Sequence, residues 1–171
     1  FIGVGAMGGG LARNLIRAGK SVLIYDINAA AVEKTLAAGT SGKAVQNAAD
    51  LAGCDLVFTS LPLPAHLQET MLGDAGLLAK MSPGAVYIDV STIDPGTARE
   101  LEAAAKEKGI GFLECPLGKT PAQAETADLP RSVKDIGLFH RMLLLRAMRP
   151  DRLSGALTVF VIENLGERYI E

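Results

Sequence analysis

Two groups of residues in this chain have the types and spacing to hold a charged ligand. The first is Gly3-Val4-Gly5-Ala6-Met7-Gly8, joined by Asp26 further along. Apolar residues precede the glycines, and Leu11, Ala12, Leu15 and Ile16 follow at helical spacing. The glycines therefore stand where a buried strand turns into a helix. Gly3 permits the sharp turn, Gly5 lets a pyrophosphate approach the backbone, and Gly8 lets the helix pack closely on the strand. The N–H groups and positive dipole end of such a helix attract phosphate. The second group is Gly118-Lys119-Thr120, which offers a backbone N–H, an ammonium and a hydroxyl to an anion. It is not a nucleoside triphosphate loop, because the upstream glycine spacing is missing and the motif does not open a helix after the first strand.

The glycines alone also fit a tight turn in any α/β protein. Asp26 supplies a second feature. It follows Val22-Leu23-Ile24-Tyr25, about 20 residues beyond the glycines, where a carboxylate accepts the ribose hydroxyls of a dinucleotide. A negative charge there repels a 2′-phosphate, so NAD is expected over NADP. The other reading of Asp26 is a turn or cap residue ahead of a helix over 29–38. No metal site is expected.

Positioning these groups requires alternating elements. The spacing predicts helices over 8–18, 29–38, 65–72 and 95–108, a helical turn or short helix at 47–52, and a further helical segment at 77–81. Strands are expected at 21–25, 43–45, 55–61, 85–90 and 110–115, several of them continuous apolar runs as in buried parallel sheets. Asp94 and Pro95 read as cap and first residue of the helix they open. This alternation predicts an α/β fold, a doubly wound, Rossmann-type parallel sheet, with its ligand cleft beyond the carboxyl ends of the strands. Residues 3–8, Asp26, 61–64, Ser91-Thr92 and 116–120 should converge there.

Composition bounds the remaining classes. The 171 residues are 49% hydrophobic and 21% charged, ordinary values for a globular domain. A net charge of −2 gives no general case for nucleic acid or an anionic membrane. No apolar run reaches the roughly 18–20 residues that span a bilayer. Cys54 and Cys115 are too few for a disulfide framework, so a reducing, cytoplasmic setting is the default expectation. Phe1 in place of an initiator Met, with so short a first strand, suggests that a few residues are missing from the start.

The motifs Gly3-Val-Gly-Ala-Met-Gly8 with Ala12 and Asn14, Leu61-Pro62, and Asp89-Val-Ser-Thr-Ile-Asp-Pro95 resemble those of the β-hydroxyacid dehydrogenases. Phosphogluconate dehydrogenases and imine reductases share the same start. The resemblance covers roughly residues 1–130, the cofactor domain. It implies that residues 3–8 hold the pyrophosphate, that Asp26 binds the adenosine ribose, and that Leu61, Pro62 and His66 line the nicotinamide ribose side. It places Thr92 beside the nicotinamide and Ser91 with the 118–120 loop on the substrate side. It implies a small hydroxy acid or semialdehyde as substrate. The family's serine-glycine-glycine stretch is replaced here by Gly118, Lys119 and Thr120, which implies an altered substrate or the same carboxylate held differently.

The family continues into a helical domain carrying a catalytic lysine, the general acid/base for the hydroxyl. No such motif occurs here. Lys134 is the only lysine after Lys119, and its neighbours do not match. Residues 131–171 are thus expected to form a short, atypical C-terminal segment. Within it, 138–148 reads as a helix with a wide apolar face, a possible surface for homo-oligomers, and 157–162 as a strand or buried helix. The two functional expectations are an NAD-dependent oxidoreductase represented by its cofactor domain, and a dinucleotide-binding module without turnover.

Overall fold

Strand and helix alternate along the whole of the described backbone. The computed structural model describes residues 1–116 and 121–125. Its elements are α1 (Gly8–Arg17), β1 (Val22–Ile24), α2 (Ala29–Leu36), β2 (Gly42–Ala44), a 3-10 turn (Ala48–Leu51), β3 (Leu56–Thr59), α3 (Pro64–Met71), β4 (Val86–Asp89), α4 (Pro95–Glu107), β5 (Gly111–Glu114) and α5 (Pro121–Glu125). Every strand pair is parallel: Val22 lies opposite Gly42, Thr59 opposite Asp89, and Asp89 opposite Glu114.

Residues 1–3 join the two halves. Ile2 bridges Tyr25 on one side and Thr59 on the other, both in parallel. The Ile2 amide donates to Phe58 O at 2.8 Å and the Gly3 amide to Tyr25 O at 3.0 Å. The order across the sheet is therefore β2-β1-Ile2-β3-β4-β5. The chain begins at the centre, runs out to one edge, returns, and runs to the other. That reversal is the topological switch point where doubly wound sheets bind ligands, and the expected Rossmann-type fold is present.

Residue alternation gives each face of the sheet its own core. Phe1, Val4, Ile24, Phe58, Ile88 and Val90 pack with Leu11, Ala12, Leu15 and Ile16 of α1. Ile2, Val57 and Tyr87 pack on the opposite side with Leu67, Met71 and Leu101 of α3 and α4. Neighbours in sequence fall on opposite faces because strand side chains alternate. Burial on both faces is also why these strands read as unbroken apolar runs rather than as alternating ones.

Most element bounds shift by a residue or two, and one expectation changes in kind. Residues 77–81 form turns, not a helix. Gly73, at φ +74°, follows the end of α3, and Pro83-Gly84 closes the segment, leaving too few residues to recover the cost of nucleating a helix. Leu77, Leu78 and Met81 are nevertheless buried, so the segment works as an apolar plug. Strand β2 lies one residue earlier, at Gly42–Ala44, where Gly42 pairs with Val22; a side chain at 42 would press on Ile16 and Leu36. The expectations for Gly118, Lys119 and Thr120, for 138–148 and for 157–162 lie outside the described residues.

Candidate dinucleotide cleft

The 3–8 turn is shaped by contacts a side chain would destroy. Gly3 has φ +83°, a left-handed conformation that favours glycine. A Cβ there would strike Ser60 O and come within 2.9 Å of Leu61 Cδ2. A Cβ on Gly8 would strike Gly3 O and lie 2.7 Å from Ser60 Cβ. Gly5 differs: nothing lies within 4 Å of where its Cβ would be, and the residue is exposed. Two glycines thus close the turn against the sheet, and the middle one opens it outward.

Helix α1 starts from this turn without a side-chain cap, since Met7 makes no capping hydrogen bond. Among the described residues, the amides of Ala6, Met7 and Gly8 meet no acceptor. Orphan donors at the positive end of a helix suit an anion. Val4 contributes differently from its neighbours. Its side chain is buried in the core at 2% exposure, and its amide donates to Asp26 Oδ2 at 2.7 Å.

Asp26 stands just past the end of β1. Its other oxygen, Oδ1, accepts from the Asn28 amide at 2.8 Å. It does not cap α2; Asn28 does, accepting from the Ala30 amide at 3.1 Å. Each carboxylate oxygen of Asp26 has one backbone donor, which fixes the group while leaving lone pairs for further donors. A phosphate-bearing ligand with a vicinal diol meets complementary groups here: open amides on one side, an oriented carboxylate on the other.

The turn and Asp26 face one cleft of about 960 Å³ beyond the carboxyl ends of the strands. Of the residues expected at the site, Gly3, Gly5, Ala6, Met7, Gly8, Asp26, Leu61, Pro62, His66, Ser91 and Thr92 all line it. Val4 does not line it and reaches it only through the backbone bond to Asp26. The opposite wall comes from the carboxyl-terminal ends of β3 and β4 and the first turn of α3, which bring Leu61-Pro62, Ser91-Thr92 and His66 together. Thr92 and His66 are exposed to the cleft. Ser91 is only 4% exposed and gives its hydroxyl proton to Asp89 Oδ1 at 2.7 Å. A serine has one such proton, so Ser91 has none left to donate to a substrate.

Sequence reasoning missed Tyr25, Ile27, Asn28, Ser60 and Thr70, which also line the cleft. Ile27 is the clearest. It is 93% exposed directly beside Asp26. An isoleucine inside a predicted turn was the available signal, because turns rarely place a large apolar side chain in water without a partner.

Open amides, an unobstructed Gly5 and the acidic strand end fit a dinucleotide, so fold and site together define a Rossmann-type dinucleotide-binding domain. Residues 1–132 match the model of the NAD binding domain of 6-phosphogluconate dehydrogenase, and the chain belongs to that family. Among curated relatives, the NAD-dependent L-serine dehydrogenase of Pseudomonas aeruginosa is 39% identical over 130 residues, covering 75% of this chain and 43% of the relative. Among solved structures, Mycobacterium tuberculosis 3-hydroxyisobutyrate dehydrogenase with L-serine matches with TM-score 0.68 and 31% identity, over 75% of this chain and 43% of that one. Psf3 in complex with NADP+ and 2-OPP matches with TM-score 0.70 and 26% identity, over 84% and 52%. The resemblance to β-hydroxyacid dehydrogenases therefore holds for the cofactor domain, and the chain spans less than half the length of the curated relatives it matches. Among the described residues, no helix is long and apolar enough to cross a membrane.

Proposed function

We propose that this chain is the cofactor-binding part of an NAD-preferring oxidoreductase that acts on a small 3-hydroxy acid or its semialdehyde. The observation that carries the reading is the pairing of open helix-start amides with Asp26 across one cleft. In this reading the phosphates lie against residues 3–8 and the adenosine ribose on Asp26. Ile27 offers apolar surface to the adenine. Leu61, Pro62 and His66 line the nicotinamide ribose side, with Thr92 near the ring. When bound, the nicotinamide supplies hydride transfer; this chain's residues bind and orient it. The substrate class is supported by relatives named for L-serine and 3-hydroxyisobutyrate, both 3-hydroxy acids. Within these 171 residues the family's lysine motif does not occur, which favours binding without turnover for the chain on its own.

Calorimetric titration with NAD+ and NADP+ tests the reading. NAD+ should bind tighter by about tenfold, ~1.4 kcal/mol. Asp26→Asn should narrow that gap, because it removes the charge yet keeps an acceptor for the Val4 amide. Asp26→Ala should weaken both cofactors, since the turn then loses its anchor at Val4. Equal affinities in the wild type would overturn the preference for NAD, and binding of neither would overturn the dinucleotide reading. A screen of short 3-hydroxy acids and semialdehydes with NAD(H) should show little or no turnover.

A further inference from the structure

Beneath the cleft wall lies a fully buried carboxylate that the reading above leaves without a task. Asp89 ends β4, the middle strand of its half of the sheet, and has no exposed surface. Its Oδ1 accepts from Thr59 Oγ1 at 2.7 Å, from Ser91 Oγ at 2.7 Å and from the Ser91 amide at 3.2 Å. Its Oδ2 has no partner among the described residues.

Proton counting fixes the direction of every bond. Among these partners the carboxylate only accepts, so both hydroxyls must spend their single protons on it. Thr59 Oγ1, having donated, can only accept from the Tyr87 hydroxyl 2.9 Å away. Burial first, and the Asp89 charge second, push the Tyr87 phenol up, which keeps it a proton donor. On the other side, Ser91 Oγ has donated and so turns a lone pair outward. It receives the Leu61 amide at 2.9 Å. Two hydrogen-bond chains thus converge on one oxygen, and one of them ends on the backbone of the cleft wall.

We propose that Asp89 is a positioning residue: by claiming the Ser91 proton it makes Ser91 Oγ the acceptor that holds the Leu61-Pro62 wall of the cleft in place. Without that carboxylate, Ser91 can rotate and donate elsewhere, and the Leu61 amide loses its assured partner. The purpose of the wall, to shape the nicotinamide side, rests on the dinucleotide reading.

Amide hydrogen exchange at Leu61, read on the full chain without cofactor, tests the inference separately from that reading. Asp89→Val should speed Leu61 exchange by about five- to tenfold, the worth of one hydrogen bond, although Ser91 is still present. Asp89→Asn should keep exchange slow, because only one acceptor oxygen is used. Ser91→Ala should match Asp89→Val. Unchanged Leu61 exchange in Asp89→Val, or equal acceleration in Asp89→Asn, overturns the proposal. If Asp89→Val does not fold, Ser91→Ala and Asp89→Asn decide it: fast exchange in the first and slow in the second support it, and any other pair overturns it. Calorimetry on the same variants then reports the wall's role. Weaker NAD+ binding should follow fast Leu61 exchange, whereas a wild type that binds no dinucleotide defeats the cofactor reading and leaves the Leu61 result standing.

Discussion

At the scale of single residues, the three glycines of the opening turn are not interchangeable. Gly3 and Gly8 are held by the protein itself, against Ser60 and against each other, whereas Gly5 faces open cleft. Gly5→Val should therefore leave circular dichroism and melting unchanged while abolishing dinucleotide binding in calorimetry. Gly8→Ala should behave in the opposite order, losing about 1–3 kcal/mol of stability in denaturant unfolding through overpacking. If Gly5→Val unfolds the protein, the division of labour is wrong. The motif itself was legible in sequence. So were the separate roles of its glycines; what was not legible is the partner that enforces two of them, because Ser60 comes to the turn from about 50 residues away in the chain.

At the scale of elements, α5 is fastened to the cofactor helix. Arg13 of α1, itself buried, forms an ion pair and hydrogen bonds with Glu125, and Arg17 joins at 2.8 Å. The Asn14 side chain donates to Ala124 O at 2.9 Å, and Gly10 has no room for a Cβ against Ala124. The strand-helix unit that opens the chain is thereby tied to the helix that follows residues 117–120. The guanidinium groups of Arg13 and Arg17 hold the Glu125 carboxyl down to about 2. A depressed carboxylate pKa contributes stability above its unfolded value, near 4.3, that is lost as pH falls toward 2. Because Glu125 is partly exposed, that contribution is on the order of 1 kcal/mol or less. Melting temperature between pH 4.5 and 2 should fall more steeply in the wild type than in Glu125→Gln, as followed by calorimetry. Parallel curves would show that the clamp carries no net stability.

At the scale of the whole molecule, the sheet is a frame that brings strand ends distant in sequence to one cleft. Ligand binding should therefore stabilise the fold as a unit. NAD+ at about 100 times its dissociation constant should add roughly 2.7 kcal/mol, raising the melting temperature by about 5–10 °C. NADP+ at the same concentration should do less, and equal shifts would argue against the charge of Asp26 as the selector.

The sequence by itself determined the alternation of elements, the turn at its head, the carboxylate just past β1 and the family, since all of these are written in local pattern and spacing. Continuous apolar runs announced strands buried on both faces, and Asp94 announced the cap it forms. Only the tertiary structure decided the finer matters. It made Asn28 rather than Asp26 the cap of α2, tied Val4 to Asp26, and turned 77–81 from a helix into a buried plug. It also showed that Ser91, at the cleft wall, gives its proton inward to Asp89 and accepts from the Leu61 amide. For the long-range bonds the physical reason is the same: a hydroxyl or carboxylate has few bonds to make, and the partner it takes lies on an element that is a neighbour in space but 22 residues away in the chain, as for Val4 and Asp26, or 30, as for Leu61 and Ser91.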